Sequence, residues 1–114
     1  MARVIQFLPT QMNMGGDVYS QIVDVVDCSR LDAELRVFAV SGTGPSGIAT
    51  FYSTSDPTFD NNAWTAFGTA ITGTAATSGY TGAFSGFGRF VRVKFTVNAN
   101  CCVTAALNAV GREP

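Results

Sequence analysis

The chain has 114 residues, only 13% of them charged, and a net charge of −1. Its length suits one domain that withdraws roughly 65% of its unfolded surface from water, while its charged share is about half the usual ~25%. That balance excludes the basic field needed for non-specific grip on nucleic acid or an anionic membrane, and the abundance of Gly, Thr, Ser, aromatic and β-branched residues excludes a disordered chain and favours a turn-rich β-protein.

In chain order, residues 3–8 are expected to form a short apolar strand stopped by Pro9. Residues 10–16 read as a polar turn in which Met12 and Met14 act as plugs. Residues 18–26 read as a second strand. Val18, Ile22 and Val26 fall on one of its faces, and Tyr19, Val23 and Val25 on the other; helical spacing also fits, but the β-branched density favours a strand. After a turn at Asp27-Cys28-Ser29, Leu31, Ala33, Leu35, Val37 and Ala39 alternate with Asp32, Glu34 and Arg36, the cleanest two-residue period in the chain. The Gly- and Pro-containing stretch 42–47 is a loop by composition.

Residues 48–54 predict a fourth strand, with Ile48, Thr50 and Tyr52 opposite Ala49 and Phe51. A polar loop over 55–63 follows, and then a strand over 64–68. Residues 69–79 hold a single large apolar residue, Ile71, and read as a weak edge strand or a loop. Residues 80–84 form a further strand, and Gly86 and Gly88 permit a tight turn. The central element is then 89–97: Val91, Val93, Phe95 and Val97 recur at every second position, with Arg92, Lys94 and Thr96 in the other register. Residues 102–110 are expected to return antiparallel, with Val103, Ala105, Leu107 and Ala109 on one face. The whole is an all-β antiparallel sandwich or barrel of seven to nine short strands.

Chemistry is sparse. The chain has no histidine, so the commonest general base is missing. The one lysine, Lys94, lies on the wet face of the central strand, and Asp24, Asp27, Asp32 and Glu34 read as solvated turn and face residues. Cys28, Cys101 and Cys102 lack metal-ligand spacing and are expected to be reduced thiols. Asp56, Asp60, Asn61 and Asn62 offer oxygens to a calcium ion but are ordinary turn formers. No catalytic, cofactor-binding or metal residue is therefore expected, and no enzymatic activity. Trp64, Tyr52, Tyr80 and Phe87 are candidates for stacking on sugar rings, set against the commoner fate of filling the core. Phe90, an aromatic in the polar register of the central strand, is expected to face a second sheet or a partner chain. The N-terminal run from Met1 to Pro9 is too brief for a signal peptide, which points to synthesis in a cytoplasm. No apolar run reaches the length of a membrane span.

Three motifs carry a family resemblance. They are Leu35-Arg36-Val37-Phe38-Ala39-Val40-Ser41-Gly42-Thr43-Gly44-Pro45-Ser46, then Phe51-Tyr52-Ser53-Thr54-Ser55-Asp56 followed by Trp64-Thr65-Ala66-Phe67-Gly68, and last Gly88-Arg89-Phe90-Val91-Arg92-Val93-Lys94-Phe95-Thr96-Val97. In that order they resemble the small all-β structural proteins of tailed-bacteriophage virions, over residues 29–112. The resemblance implies a jelly-roll-like sandwich, no catalytic residues, and an oligomeric decoration (cement) protein on the capsid exterior. The expected partners are thus the major capsid protein and further copies of the chain, with no nucleic acid, no membrane and no cofactor. The first 28 residues fall outside the resemblance. Residues 1–16 are expected to be an N-terminal strand or arm reaching a neighbouring subunit, and 17–114 the sandwich. Phe7, Met12, Met14 and Phe90 are the candidate protein-interface residues. The alternatives are a carbohydrate-binding, lectin-like module with a polysaccharide as partner, or a tail or baseplate component.

Overall fold

A computed structural model describes residues 2–55 and 64–113, without the side chains of Ala2, Met12 and Asn13. Among these residues there are ten strands and no helix. They are β1 (Ala2–Met14), β2 (Asp17–Tyr19), β3 (Val23–Asp24), β4 (Arg30–Ser41), β5 (Gly47–Thr54), β6 (Thr65–Ala66), β7 (Ile71–Gly73), β8 (Ser78–Ser85), β9 (Phe90–Val97) and β10 (Cys102–Arg112). The first sheet has the order β1-β10-β4-β8. The second has the order β2-β9-β5-β6, with β3 also on β9 and β7 also on β5. All pairings are antiparallel. Counting the broken pairs β2/β3 and β6/β7 as one strand each leaves the eight-strand order of a jelly roll. Three strands are long rather than short, at 13, 12 and 11 residues for β1, β4 and β10.

β9 sits where its alternation predicts. Val91, Val93, Phe95 and Val97 are buried between the sheets, and Phe90, Arg92, Lys94 and Thr96 lie half-buried on the outer face. The core centres on Phe51 of β5, which stacks on Phe84 of β8 at 4.2 Å and meets Phe7 of β1 edge-on at 5.6 Å. These offset and edge-to-face arrangements suit the ring quadrupoles and tie the two sheets together.

Several expectations are corrected by packing. Pro9 does not end the first strand. β1 is an edge strand with β10 as its one neighbour, and its register slips between Leu8 and Gln11, so a residue without an N–H sits in an irregularity where no ladder bond is lost. The strand expected over 18–26 is instead broken into β2 and β3. Ser20 is buried at the break, whereas Ile22 and Val26 are exposed and only Val25 is fully buried. In β4 the alternation holds from Leu31 to Val37 and then shifts. Ala105 pairs with Val37 and Thr104 with Ala39, which leaves Phe38 as the extra residue of a bulge, and Ala39 is exposed.

β10 does not return beside β9. It crosses to the other sheet and pairs with β1 and β4. The crossing is made at Asn98–Cys101, where Asn100 adopts φ +63° and the Cys101 N–H donates to the Asn98 carbonyl at 3.3 Å. The Asn98 side chain pins the facing loop, accepting from the Ser46 N–H and donating to the Gly44 carbonyl, each at 2.8 Å. Gly42 sits against this corner, and a Cβ there would lie 2.7 Å from the Asn100 carbonyl oxygen.

Candidate functional site

The outer face of the second sheet gathers the chain's chemistry, and the β9 period dictates how. With its valines and Phe95 turned inward, Arg92 and Lys94 must face outward. The register then sets their neighbours. Lys94 lies between Tyr19 of β2 and Thr50 of β5, and Arg92 lies opposite Tyr52, which in turn pairs with Ala66 of β6. Trp64 arrives just ahead of β6. The Arg92 guanidinium is held between two rings, 5.0 Å from the centre of Tyr19 and 4.6 Å from that of Trp64. Attraction of the cation to both ring faces fixes a long side chain that would otherwise be mobile. The Lys94 ammonium reaches Asp17 at 3.6 Å, a loose pair between part-exposed groups that contributes little to stability. Together Tyr19, Tyr52, Trp64, Arg92 and Lys94 line an open cleft of about 190 Å³.

Phe90 lies on this same outer face, half-buried, with the Arg89 guanidinium 5.1 Å from its ring centre. Arg89 also bridges to Asp24 at 2.9 Å. Hydrogen bonds from Arg89 are the main reason the Asp24 carboxyl is held below its ordinary value. On the opposite sheet Asp32 is gripped by Arg112 at 2.6 Å and Arg30 at 2.9 Å, and the Arg112 bond is the chief cause of its lowered pKa. Both carboxylates form ion pairs between neighbouring segments at the exposed surface.

The remaining sequence candidates scatter. Phe7 and Met14, expected at a protein interface, are 1% and 5% exposed and belong to the chain's own core, because β1 is a full member of the first sheet. The Met12 side chain, and Asp56, Asp60, Asn61 and Asn62, lie outside the described residues. Of the four sugar-stacking candidates, Trp64 and Tyr52 meet at the cleft. Tyr80 turns inward instead: its ring packs on the core and its hydroxyl accepts the N–H groups of Thr74 and Ala75 at 3.2 and 3.0 Å. Phe87 packs on Phe67 with ring centres 5.4 Å apart. Tyr19 and Arg92 were not singled out as binding residues by the sequence. The outward register of Arg92 was visible, but Tyr19 lay in a segment whose pattern is ambiguous.

All three cysteines are free thiols. Burial, followed by the neighbouring Asp27 charge, raises the Cys28 pKa, and the Cys101 thiol donates to the Thr43 carbonyl at 3.5 Å. Among the described residues no three His, Cys, Asp or Glu side chains gather into a metal-holding group. The arrangement at the cleft offers ring faces, two cations and one carboxylate: the means to bind, with no activated nucleophile among them.

No protein-family model matches the chain, and no curated protein matches it. Solved structures do. The SPBc2 prophage-derived protein YomS superimposes with a TM-score of 0.56 at 16% identity, covering 97% of this chain and 92% of that one. At that identity the likeness speaks for the fold, and it runs nearly end to end in both chains. A CBM4 structure aligns over 99% of this chain and 84% of its own at 12% identity, with a TM-score of 0.36, too low to carry any argument.

Proposed function

We propose that the chain is a structural protein of a tailed-bacteriophage virion, placed on the capsid exterior as a decoration protein and acting by adhesion rather than catalysis. The observation that carries this is the near end-to-end match in size and fold with a prophage-derived protein, joined to the virion-protein resemblance of the strand motifs. The low charge content supports it, since a weakly charged surface opposes contact with other chains little.

Self-association has a natural seat on the edge strand β8, which pairs with β4 on one side. Its residues, Ser78-Gly79-Tyr80-Thr81-Gly82-Ala83-Phe84-Ser85, include no charge and no proline. Such an edge lacks the usual guards against pairing, and an antiparallel partner copy would place no like charges opposite each other. The other edges carry Pro9 and register slips in β1, or are broken into pieces of two and three residues.

The test is to add purified protein to capsids from a phage mutant that lacks it. Saturable co-sedimentation with those capsids is the expected result. Recovery with separated tails alone would move the protein to the tail, and recovery with neither would overturn the virion role.

A further inference from the structure

We propose that the cleft on the outer face of the second sheet binds a pyranose ring of a polysaccharide, with Tyr19 as the stacking platform. This goes beyond a structural role in the virion and does not depend on it. Tyr19 is 53% exposed and lines the cleft, with the Arg92 guanidinium 5.0 Å from the centre of its ring, so part of the ring is open to a ligand. Trp64, at 9% exposed, is by contrast committed to holding Arg92. The pair of rings on Arg92 thus fixes the angle of the Tyr19 ring before any ligand arrives, which lowers the ordering cost of binding. Tyr52 lines the cleft opposite Tyr19, with Lys94 between them.

The size and polarity of the cleft select the ligand. About 190 Å³ of open space suits one small ring and is well short of the usual pocket for a larger molecule. The polar groups at hand are the Lys94 ammonium as donor, the Asp17 carboxylate as acceptor and the Tyr52 hydroxyl as both. A pyranose matches this set. Its C–H face is flat and apolar, for an aromatic ring, and its rim carries hydroxyls that both donate and accept. A nucleobase would stack equally well, but a chain of net charge −1 lacks the basic field that holds a phosphate backbone. An aliphatic ligand would find no apolar depth.

The chain has a single tryptophan, and it is Trp64, so tryptophan fluorescence, excited at the red edge where tyrosine does not absorb, reports on this cleft. Full-length protein is titrated with hexasaccharides of glucose, mannose, galactose and N-acetylglucosamine, and with a single-stranded oligothymidylate. A saturable fluorescence change is expected with at least one hexasaccharide and none with the oligonucleotide. Tyr19→Ala should weaken the saccharide at least about tenfold, with the circular dichroism spectrum and thermal midpoint unchanged; Asp24→Asn, away from the cleft, should bind as wild type. If Tyr19→Ala fails to fold, Tyr19→Leu removes the aromatic face and keeps the bulk. No saturable change with any hexasaccharide at millimolar concentration, equal binding by the Tyr19 variant, or binding of the oligonucleotide alone overturns the proposal.

Discussion

The hydroxyl of Ser20 completes the ladder beside Val93. Its Oγ accepts the Val93 N–H at 2.8 Å while the Ser20 N–H donates to the Val93 carbonyl at 2.9 Å. This exchange bridges the gap between β2 and β3, where the chain leaves strand geometry yet β9 still needs a partner. The hydroxyl proton goes to the Gln21 carbonyl at 2.9 Å.

Ser20→Ala therefore leaves a buried N–H on the central strand without an acceptor. The expected loss is about 1–3 kcal/mol, read as a lower urea midpoint at unchanged m-value. An unchanged midpoint would mean that water replaces the hydroxyl.

Phe95 of β9 and Gly47 of β5 form a second tight pair. A Cβ on Gly47 would overlap the far end of the Phe95 ring, which is fully buried. Phe95→Ala should cost about 3–5 kcal/mol as a cavity, and Gly47→Ala about 1–3 kcal/mol as overpacking. Because the two share one space, Gly47→Ala combined with Phe95→Ala should cost less than the sum of the two single changes. Additive losses in denaturant unfolding would show that the ring escapes the added methyl.

Acid should weaken the fold modestly by breaking two surface ion pairs, Asp24 with Arg89 and Asp32 with Arg112. Asp24 and Asp32 both titrate below their ordinary value of 3.8 in the fold. A depressed carboxylate contributes stability that is fully present above its unfolded pKa and is lost as pH falls through the folded one. The thermal midpoint should thus be insensitive to these groups above pH 3.8 and fall below it. Asp24→Asn should lower the midpoint at neutral pH and make the acid decline shallower. An acid limb as steep as in wild type would show that Asp24 contributes nothing to it.

Deleting residues 1–14 should prevent folding, rather than spare the fold and weaken assembly as an arm would. The deletion removes Ile5, Phe7, Leu8 and Met14 from the core and strips β10 of one of its two neighbours. Loss of the cooperative thermal transition is the expected result. A truncated chain that melts like the full one would restore the arm.

The all-β class, the inward register of β9 and that of β4 as far as Val37 were legible in the sequence, because side-chain alternation is a property of one strand and needs no partner. What the sequence left open follows from the same locality. Alternation shows that Phe7 and Leu31 each want an apolar neighbour without naming it, so β1 read as an arm. It gives no sign that β10 crosses to the other sheet, since small apolar residues suit either place. The Phe38 bulge depends on the register of the partner strand, which one strand cannot specify. The cleft is the clearest case. Tyr19, Trp64 and Arg92 are far apart in the chain and meet because β9 lies between β2 and β5. Trp64 stood out as a stacking candidate, but Tyr19 and Arg92 are unremarkable in their own segments, and only the order of strands across the sheet brings ring, cation and ring together.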